Sequence, residues 1–450
     1  MSISIFGLIF FLLGAVAQLK KPTFIISVLI ISTVLGAASA VDLAGKPVLP
    51  AIFMLGFLCV YLLKVKDIDK LVVQAFRQNP SVGYLFAFVV FSCLASYFLP
   101  RFFSGEVWVY NLQDNKYVEQ LLRFSGSHVA QIFYVLAGFL FFLTAIVLVR
   151  QRTYMLAFAD ALLILGVINV VLGLSDLVFY NLGLPDYLTY LKNANYAIVD
   201  QSMGGLRRIA GSFSETSSFS RFTAGLLAFS YFTYRGGYRK RLSGFVAIFS
   251  LLLVLLSTSS SGYVALMMFA AVLIYAERAY LFSGYLTKGL FFTLIVLGFT
   301  ACTIILLFPD QVLSIVDSAI VNKLDSDSGV ERSEWNAAAW SNFLQTYGFG
   351  VGLGGNKASS FVLVLLSNVG WIGLLLYALF FTSVLAGRSA HPDFDYNTIS
   401  GAAKAAVLVM LAPALFTATS AFIGSLFYLL LPLAACSKGF SGVSKSFNHA

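Results

Sequence analysis

Apolar runs long enough to cross a bilayer recur along the whole chain. Residues 23–40 and 128–149 are two such runs, and a helix of about 20 apolar residues spans a membrane. Of the 450 residues, 59% are hydrophobic and only 11% are charged, whereas a soluble domain is about one quarter charged. The sequence therefore predicts an all-α polytopic integral membrane protein in which residues 1–450 form a single transmembrane domain.

Hydropathy predicts about 12–13 transmembrane helices. The expected spans are 3–18, 23–40, 48–63, 82–99, 128–149, 155–175, 219–234, 242–257, 262–276, 289–308, 359–384, 404–418 and 421–436. Three longer loops connect them at one end of the bundle: 100–127, 176–218 and 309–358.

Lysine and arginine orient these spans. "KVKDIDK" and "RGGYRKR" are among the short basic loops that fall at the end opposite the three long loops. Basic short loops mark the cytoplasmic side, so we expect the long loops on the outer face. The net charge of +9 then follows from topology, and we expect no nucleic-acid partner.

The chain offers few residues for metal binding. The four cysteines fall inside predicted spans, and the three histidines are scattered without ligand spacing. "DSD" at 325–327 is the remaining candidate, because paired acids on a loop hold the metal of nucleotide-sugar enzymes. Nucleotide sugars are cytoplasmic, whereas this loop is expected outside. We therefore predict no metal and no cofactor.

The second long loop ends in "RRIAGSFSETSSFSRF", residues 207–222. Its arginines, Arg207, Arg208 and Arg221, are expected on the outer side, against the charge bias that orients the rest of the chain. They could reach lipid phosphates or pair with acids of the outer loops. The alternative is a fixed anionic partner, because the guanidinium fork binds phosphate oxygens in pairs.

The third long loop carries a similar set of groups. "KLDSDSGVERSEWNAAAW" places Arg332 between Glu331 and Glu334, and "YGFGVGLGGNKASSF" follows with Asn356 and Lys357. Successive backbone N–H groups of a glycine-rich turn can form an anion-binding nest. A flexible turn or a close helix contact explains the glycines equally well.

Further polar residues lie at predicted span ends. Ser261, in "LLSTSSSGYVAL", either caps a helix or lines a polar cavity. Gln131 and Tyr134 share a helix face with His128 and either donate hydrogen bonds to a sugar or join neighbouring helices. Asp160 lies inside a span near its cytoplasmic end, and we interpret it as structural.

These motifs together resemble those of the bacterial O-antigen polymerase/ligase superfamily. "RIAGSFSETSSFSRF" is similar to its outer-loop pattern R-x-x-G-x-F-x-E-P-S, with Thr216 where proline is usual. "SSSGY" is similar to its hydroxyl-rich turn. "DSGVERSEWNAAAW", "GFGVGLGG" and "LLSNVGWIGLLL" follow in the order that the family shows. The resemblance covers residues 80 to 384.

The resemblance implies a GT-C-like membrane glycosyltransferase of the bacterial inner (plasma) membrane. Its active site would be formed by outer-face loops in the periplasm. Donor and acceptor would be oligosaccharides linked to undecaprenyl diphosphate, and the protein would be surrounded by membrane lipids. The polymerase branch usually works with a chain-length-regulating co-polymerase. Ligases and protein O-glycosyltransferases of the family usually carry a histidine where this chain has Ser359. We therefore expect a polymerase of O-antigen or exopolysaccharide type.

The expected reaction is an inverting glycosyl transfer that needs no metal. We assign Arg208 and Arg332 to the departing diphosphate, with Arg207, Arg221 and Lys357 as further contacts. Glu215 either accepts the proton of the acceptor hydroxyl or only orients an arginine. The groups assigned to the sugar are Asn356, Ser261, Gln131 and Tyr134.

Two other classes of protein remain open from the sequence. A lipid-linked sugar flippase or an ion-coupled transporter would use the many spans and Asp160. Against a carrier, the polar groups cluster in outer loops rather than near the membrane midplane, and no internal repeat is visible. A non-catalytic scaffold of an export complex would leave the arginine loops dispensable for sugar transfer.

Overall fold

The computed structural model describes residues 2–43, 46–113, 116–194, 202–203, 206–282, 327–387 and 393–436, together with the single positions 291 and 298. Most of these residues are helical. The helices are α1 Ile5–Ala17, α2 Pro22–Ser32, α3 Pro50–Leu63, α4 Ile68–Gln78, α5 Pro80–Phe102, α6 Gly126–Leu148, α7 Arg152–Asn181, α8 Thr216–Arg235, α9 Lys240–Leu256, α10 Ser260–Phe282, α11 Asp327–Gln345, α12 Phe361–Leu385, α13 Phe394–Thr417 and α14 Ser425–Ala435.

Six of these helices are long and apolar enough to cross a membrane: α5, α6, α7, α10 over Ser260–Arg278, α12 and α13. Four shorter apolar helices, α1, α2, α3 and α14, accompany them. The chain is therefore a mainly helical, multi-pass membrane protein. The predicted span 289–308 lies outside the described residues, so the number of 12–13 spans stays a prediction.

The polar helix α8 lies in the interior of the bundle, packed against α9, α10 and α13. Its buried hydroxyls bond to carbonyls one turn back: Ser220 to Thr216 at 2.7 Å and Thr223 to Phe219 at 2.8 Å. Thr223 also accepts from the Asn169 amide of α7 at 3.0 Å. Because these hydroxyls are satisfied locally, α8 tolerates an apolar environment. Its first turn, next to Glu215, is consequently held in place.

The loops expected to be irregular contain regular structure. Within 100–127, β4 Trp108–Gln113 pairs antiparallel with β5 Lys116–Leu121. Within 309–358, α11 is a helix of 19 residues. A small antiparallel sheet also contains, in this order, β1 Ser2–Ile3, β2 Val41–Leu43 and β3 Lys46–Val48. A further antiparallel pair is formed by β6 Ser202–Met203 and β7 Leu206–Arg207. Local pairing satisfies loop backbone groups that would otherwise be buried without partners.

The helix α12 is broken at Gly370, where φ is 64° and ψ is −168°. At the break, the N–H of Trp371 donates to the carbonyl of Gly348 at 3.1 Å. A Cβ at Gly370 would lie 2.1 Å from that carbonyl oxygen. The loop that precedes α12, residues 347–360, is called the glycine-rich loop. Its backbone packs so closely against Gly370 that only glycine fits at the break, so the loop is tightly packed rather than flexible.

Candidate functional site

The three predicted outer loops meet at one end of the bundle. The N–H of Lys357 donates to the Tyr110 carbonyl of β4 at 2.9 Å, and the N–H of Tyr110 donates to Asn356 Oδ1 at 2.8 Å. From α11, Asn336 Oδ1 accepts from the N–H of Ser359 at 2.8 Å. Val351 completes an apolar cluster with Val107, Val109 and Leu122 beneath the hairpin. Hairpin, glycine loop and α11 therefore form one connected surface.

The loop that carries Arg208 is fixed by a carboxylate of α7. Asp176 Oδ2 accepts from the N–H groups of Ala210 and Gly211, both at 2.9 Å. On the other side, Ser212 Oγ donates to the Val34 carbonyl at 2.6 Å. These contacts set the position of Arg208, although Asp176 was not identified from sequence. In the sequence it is an acid directly after an apolar run, at the first position of the predicted loop 176–218.

Arg208, Arg332 and Lys357 come together from two loops. Arg208 and Arg332 are each partly buried, and each acts on the other's charge. Burial lowers the pKa of Arg208, and the positive charge of Arg332 adds to that effect. Neither arginine forms an ion pair with a residue in the described ranges, and Arg208 Nε is buried without a hydrogen-bond partner there. Two guanidinium groups without an ion-pair partner in the described ranges are therefore close enough to act on each other's charge.

Lys357 lies between two aromatic rings. Its Nζ is 3.1 Å from the centroid of Tyr117 on β5 and 3.7 Å from that of Trp335 on α11. The pKa of Lys357 is lowered to about 7, chiefly by burial and also by the charge of Arg332, while Glu331 and Glu215 partly offset this lowering. The ring faces also favour the ammonium form. Neither aromatic residue was identified from sequence, because the contact joins residues of different loops.

Glu215 is the acid shared by these cations. It is exposed at the N-cap of α8 and accepts from Ser217 Oγ at 2.9 Å. Its charge acts on Arg208, on Lys357 and on Arg221, but it forms an ion pair with none of them within the described ranges. This position suits both roles expected of it, proton acceptor and orienting carboxylate.

A polar cavity of about 380 Å³ opens beside Lys357. Its lining includes Tyr110, Tyr117, Ser127, Gln131, Tyr134 and Ser420. This volume is within the range of about 300–1,000 Å³ that small-molecule sites occupy. Hydroxyls, amides and ring faces are the groups that contact carbohydrates, so the cavity can accept one or a few sugar units.

The cavity accounts for two of the residues assigned to a sugar. Gln131 Oε1 accepts from Ser420 Oγ at 2.8 Å, which leaves its amide nitrogen without a partner among the described residues. The Tyr134 hydroxyl donates to the Pro47 carbonyl at 3.0 Å, and its ring stacks on Phe422. Gln131 can therefore donate to a ligand, whereas Tyr134 offers its ring.

The other two sugar assignments do not fit the geometry. Asn356 lines the cavity, but its Oδ1 accepts from Tyr110 and its Nδ2 donates to the Lys357 carbonyl at 2.9 Å. Ser261 is only 4% exposed, in the first turn of α10, and lies outside the lining of the cavity. Both are better explained as structural residues, Asn356 joining hairpin to glycine loop and Ser261 packing a helix start.

The glycine-rich loop is not an anion nest. Its N–H groups donate to protein acceptors: those of Val351 and Gly352 to the Ser367 and Asn368 carbonyls, both at 2.8 Å, and that of Leu353 to Ser96 Oγ at 2.8 Å. An anion would have to displace these bonds. The loop instead positions Lys357 through close packing against α12.

Of the remaining candidates, some have side chains outside the described part of the protein and others have structural partners. The side chain of Arg207 lies outside the description, as does Asp325 of "DSD". His128 is fully buried, and its Nδ1 accepts from the N–H of Ser125 at 3.2 Å as part of a helix cap. Asp160 binds Arg239 through both carboxylate oxygens, at 3.0 and 2.9 Å, and accepts from the Tyr238 hydroxyl. His128 and Asp160 therefore have structural partners.

Arg221 faces a different cavity, of about 220 Å³, on α8. Across the described ranges, no group of three or more histidine, cysteine or acidic residues is arranged to hold a metal ion.

Comparison with protein-family models gave no match, and comparison with curated proteins gave no similar sequence. The superfamily resemblance therefore rests on the motifs themselves.

Proposed function

We propose that the chain is a membrane glycosyltransferase that polymerises lipid-linked repeat units, with an O-antigen or exopolysaccharide as product. The observation that supports this proposal is a set of three cations, Arg208, Arg332 and Lys357, which form no ion pair within the described ranges and lie near one shared carboxylate, Glu215, and a sugar-sized polar cavity. A diphosphate is the anion that two guanidinium forks and an ammonium fit best. A glycan attached to that diphosphate would extend into the cavity.

In the proposed reaction, an acceptor hydroxyl oxygen attacks the anomeric carbon of the donor chain. The new carbon–oxygen bond forms as the bond to the diphosphate breaks, and its electron pair leaves with the diphosphate. Arg208 and Arg332 stabilise the negative charge that develops there. Glu215 takes the hydroxyl proton, which becomes acidic late in the transfer. Lys357 adds positive charge close to the same region.

The direct test incubates the purified full-length protein with a lipid-diphosphate-linked repeat unit from its own organism, without divalent metal. A ladder of lipid-linked chains, separated on a gel, is the expected product. Single transfer that requires added lipid A core or protein acceptor would instead define a ligase or a protein O-glycosyltransferase. Absence of transfer to any acceptor with a verified donor would overturn the proposal in favour of a lipid-linked sugar carrier.

Replacing Glu215 by Gln tests its role in the proposed transfer. If Glu215 accepts the proton, turnover falls by about 10²-fold or more while donor binding is retained. Rates of chain extension and binding of a non-reactive donor analogue are measured together. Loss of donor binding with normal turnover at saturating donor would show instead that Glu215 only orients the cations.

The pH dependence of the reaction tests Lys357. With a pKa of about 7, its ammonium is present below that pH and is lost as pH rises through it. If that charge assists transfer, the rate declines on the alkaline side, because a group above its pKa loses about tenfold of its charged form per pH unit. The Lys357→Arg variant keeps its charge and is expected to remove the decline. A profile that is the same in both proteins would exclude this role.

A further inference from the structure

A second cavity lies within the bundle, on another side of α8. It has a volume of about 220 Å³, and the ends of α2, α8 and α14 contribute to its lining. Four of its side chains matter here: Ser214, Ser218, Arg221 and Ser425. Because it is smaller than the range of about 300–1,000 Å³ for small-molecule sites, it suits a compact group rather than a sugar chain.

The cavity contains a guanidinium group that has no ion-pair partner among the described residues. Arg221 is partly buried, and it forms no hydrogen bond or ion pair with any residue in the described ranges. Met410 and Phe222 provide apolar parts of the same lining. A charge in such surroundings is costly unless it is paired. Among the described residues, Glu215 acts on the charge of Arg221, but no carboxylate forms an ion pair with it.

The first turn of α14 provides a second, independent feature. Its N-cap is Gly424, which has no side chain that could cap the turn. Ser425, the first residue of α14, is only 7% exposed, and its Oγ has no hydrogen-bond partner among the described atoms. A helix N-terminus also attracts negative charge. The cavity therefore combines a cation, an unsatisfied hydroxyl and a helix N-terminus.

We infer that this cavity binds a phosphate group, with Arg221 as the cation and Ser425 and the first turn of α14 as hydrogen-bond donors. Planar guanidinium groups bind phosphate oxygens in pairs, and the hydroxyls of Ser214 and Ser218 lie in the same lining. Glu215 is close enough to both sites for its charge to act on Arg221 and on Arg208. The inference concerns phosphate binding alone and holds whether or not the chain transfers sugars.

The test measures binding of phosphate compounds to the purified full-length protein. One arm titrates inorganic phosphate. A second reconstitutes the protein in phosphatidylcholine nanodiscs with and without phosphatidylglycerol, and a third adds undecaprenyl phosphate. The variants are Arg221→Gln and Ser425→Ala. Arg208→Gln reports on the other anion site, and Arg241→Gln, an exposed arginine at the start of α9, is the matched surface control.

We expect Arg221→Gln to weaken binding by about tenfold or more, because an ionised hydrogen-bond partner is lost. Ser425→Ala should weaken it severalfold, and this small change preserves folding. Arg208→Gln and Arg241→Gln should leave this site intact. Binding in the first arm would assign a free phosphate ion, and binding only in a lipid arm would assign that headgroup. Wild-type affinity in both cavity variants, or no binding in any arm, would overturn the inference.

Discussion

Chain extension is expected to fall by about 10²–10³-fold in Arg208→Ala and in Arg332→Ala, the range seen when one preorganised donor to a developing oxyanion is removed. Each arginine enters the site without an ion pair to the described residues, so neither charge is already neutralised. Arg208 is held by the Asp176 contacts to its loop, and Arg332 by the packing of α11. Their charges are therefore in place before the diphosphate begins to leave.

Two further variants make this prediction specific. Arg332→Lys keeps the charge but loses the planar fork, and should recover only part of the rate. Arg123→Ala removes an exposed arginine from the same end of the bundle and should extend chains at the wild-type rate. The measurement is the initial rate of ladder formation at saturating donor. Normal extension by both site variants, with wild-type protein active in parallel, would remove these arginines from the reaction.

Gly370→Ala is expected to lower the free energy of unfolding by about 3–5 kcal/mol, the range of the more severe single substitutions. Alanine at φ 64° and ψ −168° is strained, because this region is essentially restricted to glycine and costs other residues about 1–3 kcal/mol. Its Cβ would also lie 2.1 Å from the Gly348 carbonyl oxygen and 2.7 Å from the Phe349 carbonyl carbon. Because these neighbours are backbone atoms, the glycine loop would have to move.

Gly83→Ala in α5 is the matched control, because a Cβ there meets nothing within 4 Å. Alanine in a helix interior is favoured over glycine by about 0.5–1 kcal/mol, so this variant should be as stable as the parent or slightly more stable. Thermal denaturation of the detergent-solubilised proteins, followed by tryptophan fluorescence, compares the two. Equal melting temperatures for Gly370→Ala and the parent would contradict the tight packing described here.

Hydropathy predicted the helical bundle well, because apolar length is a local property of the chain. Boundaries agree closely at the loop expected at 100–127, which lies between the end of α5 at Phe102 and the start of α6 at Gly126. They differ elsewhere: the span expected at 23–40 ends at Ser32 in α2, and the span expected at 404–418 begins at Phe394 in α13. The structure inside the long loops was not predicted. The hairpin and α11 are stabilised by contacts with the glycine loop, and such contacts leave no periodic signal within either segment.

The charged residues of the site could be chosen from the sequence, but their surroundings could not. Arg208, Arg332, Glu215 and Lys357 were selected by charge type and motif. The rings on either side of Lys357 are hundreds of positions apart in sequence, so nothing local connects Tyr117 with Trp335. For Asn356 and Ser261, the polar side chain suggested contact with a ligand. In the structure, Asn356 is hydrogen-bonded to backbone groups and Ser261 is buried.

The contact of Lys357 with the rings of Tyr117 and Trp335 joins residues that are synthesised at different times. Tyr117 leaves the ribosome early, whereas Trp335 and Lys357 follow only after most of the bundle has been made. The surroundings of the Lys357 ammonium group therefore cannot be complete until α11 and the glycine-rich loop have been synthesised. A nascent chain interrupted before that stage would hold half of the charged cluster and lack the other half. The charged cluster is therefore completed only after residue 357 has been added to the chain.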